Sequence, residues 1–434
     1  MIHLLLVMAK VVERIILRKM TKYVELEDIQ YGSRKNRSTH DAFKQMSEFI
    51  EYSKGMKVGM VTMDVEGGFD KVGIDCLSTV LAQRGYPEDL VRWMRRSACG
   101  RSTRLRFNGR TSKTYYINKG VPQGSPLSPF LFGVYVADVF KPRIQTRLNF
   151  RRMVSSYVDD GGILVATPDI ESTKEGLVEC WEDCNKVAKS RGMGFSSNKM
   201  DWIGFSEESW GTLRVGEEDL KEVKEIRILG YRMDKKRSMG VHMEYWLDRG
   251  IGVKRRIAAL GRRFRSHGGL GARECVRLVQ GVYMPTVYYG LEFVGKNKKL
   301  IKEIQTNLND TLRSTFRSPL KYANKILMAE TGTVPTQIEG RYRERKSYGR
   351  HLKYKYGGNL LWFGCIAEKW KDDRLKEEMQ WSNKNLLKRP KVRIAHTKEA
   401  AIKEHTERWE EGPGQEVWVY SDGSKRNSEV ERRG

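Results

Sequence analysis

Asp64 closes the apolar run VGMVTMDV at 58–65, Asp70 follows six residues later, and Asp159 and Asp160 stand together before Gly161. A carboxylate at a strand end and two more on a nearby hairpin turn can converge on one point. Such a cluster is unstable until cations neutralise it. The donor set suits two Mg²⁺ ions and in-line phosphoryl transfer, one metal lowering the pKa of an attacking hydroxyl and the other steadying a departing pyrophosphate. Taken alone, Asp159-Asp160-Gly161 reads far more readily as a plain polar hairpin turn. Between the carboxylate sites lies Gly120-Val121-Pro122-Gln123-Gly124-Ser125-Pro126-Leu127-Ser128-Pro129. A rigid Pro/Gly loop opening a helix lets backbone approach a ligand closely, with Gln123 and the helix N-terminus facing it.

The elements that must carry these groups follow from pattern. Residues 58–65 predict a buried strand by β-branched content and length. Residues 153–166 predict a hairpin turning at Asp159-Asp160-Gly161. Helices are predicted over 75–98 with a break at 85–87, over 126–149 behind a Pro-rich cap, and over 174–191. A small hairpin is predicted from 103–107 and 113–117 around Asn108-Gly109. Near the start, Leu5, Val12, Ile15 and Ile16 recur at helical spacing, and the pattern continues to Met20. No basic stretch precedes them, so an amphipathic helix is expected rather than a secretion signal. Helices flanking a strand and hairpin predict an α+β sandwich. Beyond about Asp234 a basic, mainly helical lobe is expected to about Arg350, with Arg249, Lys254, Arg255, Arg256, Arg262, Arg263 and Arg265 in one run. Then come a Lys- and Trp-rich stretch at 354–390, a charged helix at 397–411, a Gly-Pro-Gly linker at 412–414 and a strand opening at 416.

The 434 residues carry 80 Lys+Arg against 54 Asp+Glu, a net charge of +26, which calls for a polyanionic partner, nucleic acid or an anionic membrane surface. A hydrophobic share of 39% with 10% aromatics is too rich for a disordered polycation or a packaging tail. The length suits about three domains or one multi-lobed enzyme. The six cysteines include no Cys-x-x-Cys pair, and Cys180 and Cys184 have no neighbouring ligands for zinc, so reduced thiols of an intracellular protein are expected. No run of about 18 apolar residues predicts a membrane span.

VTMDVEGGFD at 61–70, GVPQGSPLSPFLF at 120–132 and YVDD at 157–160, in this order and spacing, resemble the motifs of a reverse transcriptase of the kind encoded by non-LTR (LINE-type) retrotransposons. The resemblance covers nearly the whole chain. It implies an α+β right-hand polymerase: partial fingers (1–55), palm (56–235), helical thumb (236–330), a mainly helical connection (331–415) and the start of a ribonuclease H domain (416–434). The implied activity is RNA-directed DNA synthesis in the nucleus, by two-metal nucleotidyl transfer from dNTPs onto a DNA 3′-OH. Its partners are an RNA template and a DNA primer or target; no protein partner and no membrane is implied. Asp64, Asp159, Asp160 and the Val65 carbonyl match the ligands of two Mg²⁺ ions, with Mn²⁺ as a substitute. Phe69 matches the aromatic gate whose ring collides with a ribose 2′-OH, against the plainer reading of a core Phe. Gln123 and Gly124 match the loop that contacts nucleotide and template, and Tyr157 the residue near the primer end.

Further segments extend the resemblance. Asn198-Lys199-Met200-Asp201 is similar to the next motif, in which Lys199 protonates pyrophosphate, although a lone Lys is usually solvent-facing. Ile228-Leu229-Gly230-Tyr231 resembles the primer-grip hairpin. Residues 31–39 resemble a fingers motif with Ser33 in place of an aromatic, and imply that Arg34 and Arg37 touch template phosphate; the alternative is an exposed basic cap on a helix from Thr39. Residues 283–290 and 328–332 resemble the thumb and the region after it, which would lay Lys254, Arg255 and Arg256 on duplex phosphates. Residues 417–424 are similar to the first ribonuclease H strand, with Asp422 as a metal ligand. Gly68 stands where the family usually has Ala, and Gly67-Gly68 is expected to loosen the turn before Phe69. The upstream fingers segment and an endonuclease domain are expected to be missing, and the ribonuclease H portion to stop after one carboxylate. The rival readings are a catalytically dead nucleic-acid-binding remnant and an RNA-dependent RNA polymerase; YVDD and Phe69 count against the latter.

Overall fold

Strands rich in Val, Met and Ile with glycines between them make the centre of the fold. The structure, a computed structural model, describes residues 7–355 apart from 24–25, 27, 35, 144–147, 266–269, 295–296 and 317–322. The first half runs α1 (Val7–Met20), α2 (Thr39–Tyr52), β1 (Lys57–Asp64), α3 (Ile74–Gln83), α4 (Glu88–Ala98), β2 (Arg101–Thr103), β3 (Arg106–Phe107), β4 (Arg110–Thr111), β5 (Tyr115–Ile117) and α5 (Ser128–Val136). Next come β6 (Arg151–Tyr157), β7 (Asp160–Thr167), α6 (Ile170–Ser190), β8 (Trp202–Gly204), β9 (Thr212–Val215), β10 (Glu218–Lys221), β11 (Glu225–Ile228) and β12 (Tyr231–Asp234). The remainder is helical: α7 (Gly240–Arg265), α8 (Ala272–Leu278), α9 (Met284–Val287), α10 (Lys298–Phe316), α11 (Asn324–Thr331) and α12 (Thr336–Lys355).

Four strands form one antiparallel sheet in the order β6-β7-β1-β8. Side chains alternate across it. Val58 and Met60 of β1 join Leu164 and Ala166 of β7 in a core closed by Phe43, Met46 and Ile50 of α2. Val61 and Met63 face the other way with Ile163 and Val165, under Leu177, Cys180 and Cys184 of α6. Both faces are covered, which is why β1 reads as a continuous apolar run. Burial pushes the Cys180 thiol up to about 11, so it packs as an inert small hydrophobe. At Gly161 an added Cβ would collide with the Phe140 ring, and at Gly162 with Ile228 and Met60 at 2.8 and 2.9 Å.

The α+β expectation holds, and most expected elements are present with adjusted ends. The break at 85–87 separates α3 from α4, and Asn108-Gly109 turns β3 into β4 with both residues at positive φ. The 174–191 helix starts earlier, because Asp169 accepts the Ser172 N–H at 2.8 Å and caps α6. The helix expected over 126–149 stops at Val136. Asp138 there takes the guanidinium groups of Arg84 and Arg191 at 2.8 and 2.5 Å, and Pro142 bars further helix. α1 forms as expected, yet Val12 and Ile15 are exposed; Ile16, Leu17 and Met20 are the residues that meet the core. Among the described residues no helix is long and apolar enough to cross a membrane. The helix expected at 397–411, the 412–414 linker, the strand from 416 and Asp422 lie outside the described residues.

The helical lobe is fastened to the sheet by polar joints. His40 of α2 pairs with Glu292, which lies just beyond α9, and bonds Ser347 of α12 through its other ring nitrogen. Fully buried His242 of α7 accepts the Arg232 N–H at its Nδ1, 3.3 Å away, which leaves Nε2–H to donate to the Tyr289 carbonyl at 2.9 Å. Only the neutral ring fits, and burial lowers its pKa from the ordinary 6.5. Because this folded-state value is depressed, the contribution of His242 is full above about pH 6.5 and is lost as pH falls below it. His242→Phe keeps the ring but unpairs two buried backbone groups, so urea unfolding at pH 8 should show a loss of about 1–3 kcal/mol. The gap to wild type should narrow at pH 5.

Candidate active site

Antiparallel pairing of β1 with β7 makes Asp64 and Asp160 direct cross-strand partners. Asp159 occupies the two-residue turn with Val158, so the turn lies one residue earlier than the sequence suggested and Asp160 begins the strand. The Val65 N–H donates to the Asp159 carbonyl at 3.1 Å, which ties the turn to the end of β1. Lys199, in a short turn before β8, places Nζ 2.8 Å from Asp64 Oδ1. Asp64, Asp159, Asp160 and Lys199 are thus neighbours, although 135 residues separate Asp64 from Lys199.

The electrostatics follow from that crowding. Burial, then the negative charges of Asp159 and Asp64, push the Asp160 carboxyl up to about 6. Asp159 is raised as well, by burial first and then by Asp64. The Asp64 hydrogen bond raises Lys199, which is therefore firmly cationic at neutral pH. Among the described residues no three His, Cys, Asp or Glu side chains converge as a ready-made metal cluster. Lys199 takes one oxygen of Asp64 instead, in keeping with carboxylates that need cations to gather. The donor set still fits Mg²⁺ chemically, being hard carboxylate oxygens; the pKa values of two of the carboxyls, Asp159 and Asp160, are raised by burial first and then by neighbouring negative charge. The Val65 carbonyl accepts a long 3.4 Å bond from Gly68 N–H.

The turn that carries Asp159 is strained, and its supports were invisible in the pattern. Val158 has φ 62°, a left-handed conformation that β-branched residues resist. Gln30 holds it: its Oε1 accepts the Val158 N–H at 3.2 Å and the Gly32 N–H at 3.1 Å. Gln30 is fully buried and runs beside β6, with Tyr31 N–H donating to Ser156 O at 2.8 Å. A Cβ on Gly32 would meet Val158 N at 2.5 Å, so glycine alone allows this approach. Nothing in the spacing marks Gln30. Its one signal is its place just before the Tyr31-Gly32 pair.

The remaining candidates divide into those near the carboxylates and those elsewhere. Phe69 is half-buried and stacks on Phe132, centroids 4.8 Å apart, so its ring is anchored in the core while part of it stays open. Gly67 and Gly68 have φ 73° and 33°, and a Cβ on Gly68 would lie 3.6 Å from Asp159 Oδ2. The pair shapes this turn rather than loosening it. Gly120 packs on Phe69 and Asp70 backbone, and Val121 N–H donates to Phe69 O at 2.9 Å, which brings the Gln123-Gly124 loop to the same turn. Ser125 then accepts the Leu127 and Ser128 N–H groups and donates to Glu13 at 2.7 Å. Tyr157 pairs with Asp160 at the end of β6.

Leu229 and Gly230 form the β11–β12 turn, both at positive φ, and the Tyr289 hydroxyl donates to the Leu229 carbonyl at 2.7 Å. Arg34 and Arg37 turn inward rather than forming an exposed cap: both approach Asp28, and Arg37 lies over the Tyr31 ring. Arg255 and Arg256 are exposed on α7 and Lys254 is half-buried, on a separate element from the carboxylates.

Residues 1–233 match the family described as reverse transcriptase (RNA-dependent DNA polymerase). The Pol polyprotein of the type-1 retrotransposable element R1 from Bradysia coprophila is 23% identical over 65% of this chain and 28% of its own length. The RNA-directed DNA polymerase from mobile element jockey of Drosophila melanogaster is 22% identical over 72% of this chain and 35% of its own. The chain thus spans about a third of the length of these curated relatives. A telomerase structure from Candida albicans aligns with 73% of this chain and 55% of that chain at 14% identity, with a TM-score of 0.38.

Asp160→Asn tests the electrostatics without catalysis. A carboxyl raised in the folded state costs stability at neutral pH and ceases to do so as pH falls from about 6 toward the unfolded value. Without divalent cations at pH 7.5 the variant should be more stable by on the order of 1–2 kcal/mol, discounted for solvent screening. In calorimetry the advantage should vanish near pH 4; a destabilised variant at pH 7.5 would contradict this account.

Proposed function

The chain belongs to the reverse transcriptase (RNA-dependent DNA polymerase) family, and on that premise we propose that it extends a DNA 3′-OH with dNTPs on an RNA template in the nucleus, as part of a non-LTR retrotransposon protein. The observation that carries the reading is the cross-strand placement of Asp64 against Asp160, with Asp159 next to it in the turn that joins β6 to β7. Asp64, Asp159, Asp160 and the Val65 carbonyl would hold two Mg²⁺ ions; when bound, these neutralise the carboxylates and supply positive charge to the transferring phosphoryl group.

The chain's own groups have separable tasks in this reading. Lys199 holds a proton beside Asp64 and is placed to give it to a departing pyrophosphate. Phe69, braced by Phe132, excludes a 2′-OH from the incoming sugar, and the Gln123 loop is set by the same turn. The sheet with its carboxylates acts as the palm, the Leu229-Gly230 turn positions the primer end, and the helices from α7 onward act as the thumb along duplex phosphates. Arg255 and Arg256 support that last task by their exposure.

Purified chain given an RNA template, an annealed DNA primer, Mg²⁺ and dNTPs should extend the primer. Removing even an outer partner of a metal site costs about 10–100-fold, so Asp159→Asn should lose more than about 100-fold. Equal extension by wild type and variant, or none by either, would favour the binding remnant. Phe69→Ala should raise ribonucleotide incorporation relative to deoxynucleotide in single-turnover assays. A lower melting temperature with unchanged discrimination would return Phe69 to the core.

A further inference from the structure

The hairpin formed by β2 to β5 presents charge of one sign beside the candidate site. Residues 101–119 contain six Lys and Arg and no Asp or Glu. β3 and β4 pair Phe107 with Arg110 next to the Asn108-Gly109 turn, and β2 and β5 pair Ser102 with Tyr116. Phe107 is 78% exposed and Tyr116 76% exposed, among the most open aromatic rings of the described residues. Arg106 and Arg110 are exposed beside them. No core covers these rings, and Leu105 and Tyr115 on the same hairpin are 48% and 43% exposed as well, so its apolar surface is open along its length.

The hairpin is also fixed to the candidate site. Arg101 donates to the carbonyls of Lys119 and Gly120 at 2.9 and 2.6 Å, closing its base. Gly120 N–H in turn donates to Val72 O at 2.8 Å, and its Cα sits on the Phe69-Asp70 backbone so closely that a Cβ would meet Asp70 O at 2.8 Å. Strand β5 therefore leads directly into the loop that carries Gln123. A strand of nucleic acid lying on the hairpin would be held at a fixed offset from the carboxylates.

We infer that this hairpin binds the unpaired RNA template, with Phe107 and Tyr116 stacking on bases and Arg106 and Arg110 on phosphates. Cationic groups interleaved with open aromatic rings are the chemistry of single-strand binding, since only unpaired bases offer their faces. Duplex would meet the charges but leave the rings without partners. The identity of the strand as template rests on the polymerase reading; its binding to the hairpin does not.

The test uses the full chain, no nucleotide and no divalent cation, and fluorescence anisotropy with labelled oligouridylate. Phe107→Ala combined with Tyr116→Ala should weaken binding about tenfold or more at unchanged melting temperature. Arg106→Gln combined with Arg110→Gln should reduce the slope of log affinity against log salt by about 1.4, near 0.7 per lost phosphate contact. Unchanged RNA affinity in both variants, an equal loss on RNA duplex, a loss on single-stranded DNA alone, or a loss on anionic vesicles as large as on RNA would each overturn the proposal. A chain that binds through the hairpin but never extends a primer removes the polymerase reading and leaves this surface. A chain that extends primers while both variants bind normally removes this surface alone.

Discussion

Two carboxylates facing each other across adjacent antiparallel strands are the constraint around which the protein is organised. Register partners of this kind hold their Cα atoms about 4.5–5.5 Å apart, too close for like charges to be indifferent. The strands cannot slip to relieve the repulsion, because a one-residue shift would turn Val58, Met60, Leu164 and Ala166 away from the α2 side. Burial of both faces of the sheet therefore holds an unfavourable electrostatic arrangement in place. Lys199 offsets part of it through Asp64, while Asp160, raised by burial first and then by Asp159 and Asp64, carries the rest. Stability is spent where ligand binding can recover it.

The same logic extends to the backbone. Val158 in a left-handed turn, Gly32 pressed against its nitrogen and Gln30 bridging the two form a support that only the folded chain displays. Leu229-Gly230 repeats the device at a second turn, with the Tyr289 hydroxyl as its prop. In both places a turn of unusual conformation is held by a side chain distant in sequence. Such positions tolerate little change, because the strain and its restraint lie on different elements.

Much of this was legible in the sequence, for identifiable reasons. The β1 strand announces itself because both of its faces are buried, and the Asn108-Gly109 turn because few other pairs accept two positive φ values. The carboxylates stood out through their motifs, not through any local periodicity. The end of α5 was only partly visible: Pro142 bars a helix to residue 149, but the stop at Val136 goes with Asp138 meeting Arg84 and Arg191, which no window around residue 138 contains. Gln30 was hidden for the same reason, and the inward turn of Arg34 and Arg37 could not be separated from a solvent-facing one by composition. Pattern reads burial well; it misses a polar side chain whose partner lies on another element.

The His40 joint carries a consequence for where the polypeptide can be shortened. α12 begins beyond the segments that resemble the thumb, yet its Ser347 closes a buried chain of polar groups running from Glu292 through His40 into α2. Removing residues from 336 onward would strip that cover and wet a carboxylate and an imidazole now shielded from solvent, in the interior against the sheet's own helix. The smallest autonomous folding unit therefore extends well past the last recognisable motif, and a fragment trimmed to the motifs should be recovered chiefly as aggregate.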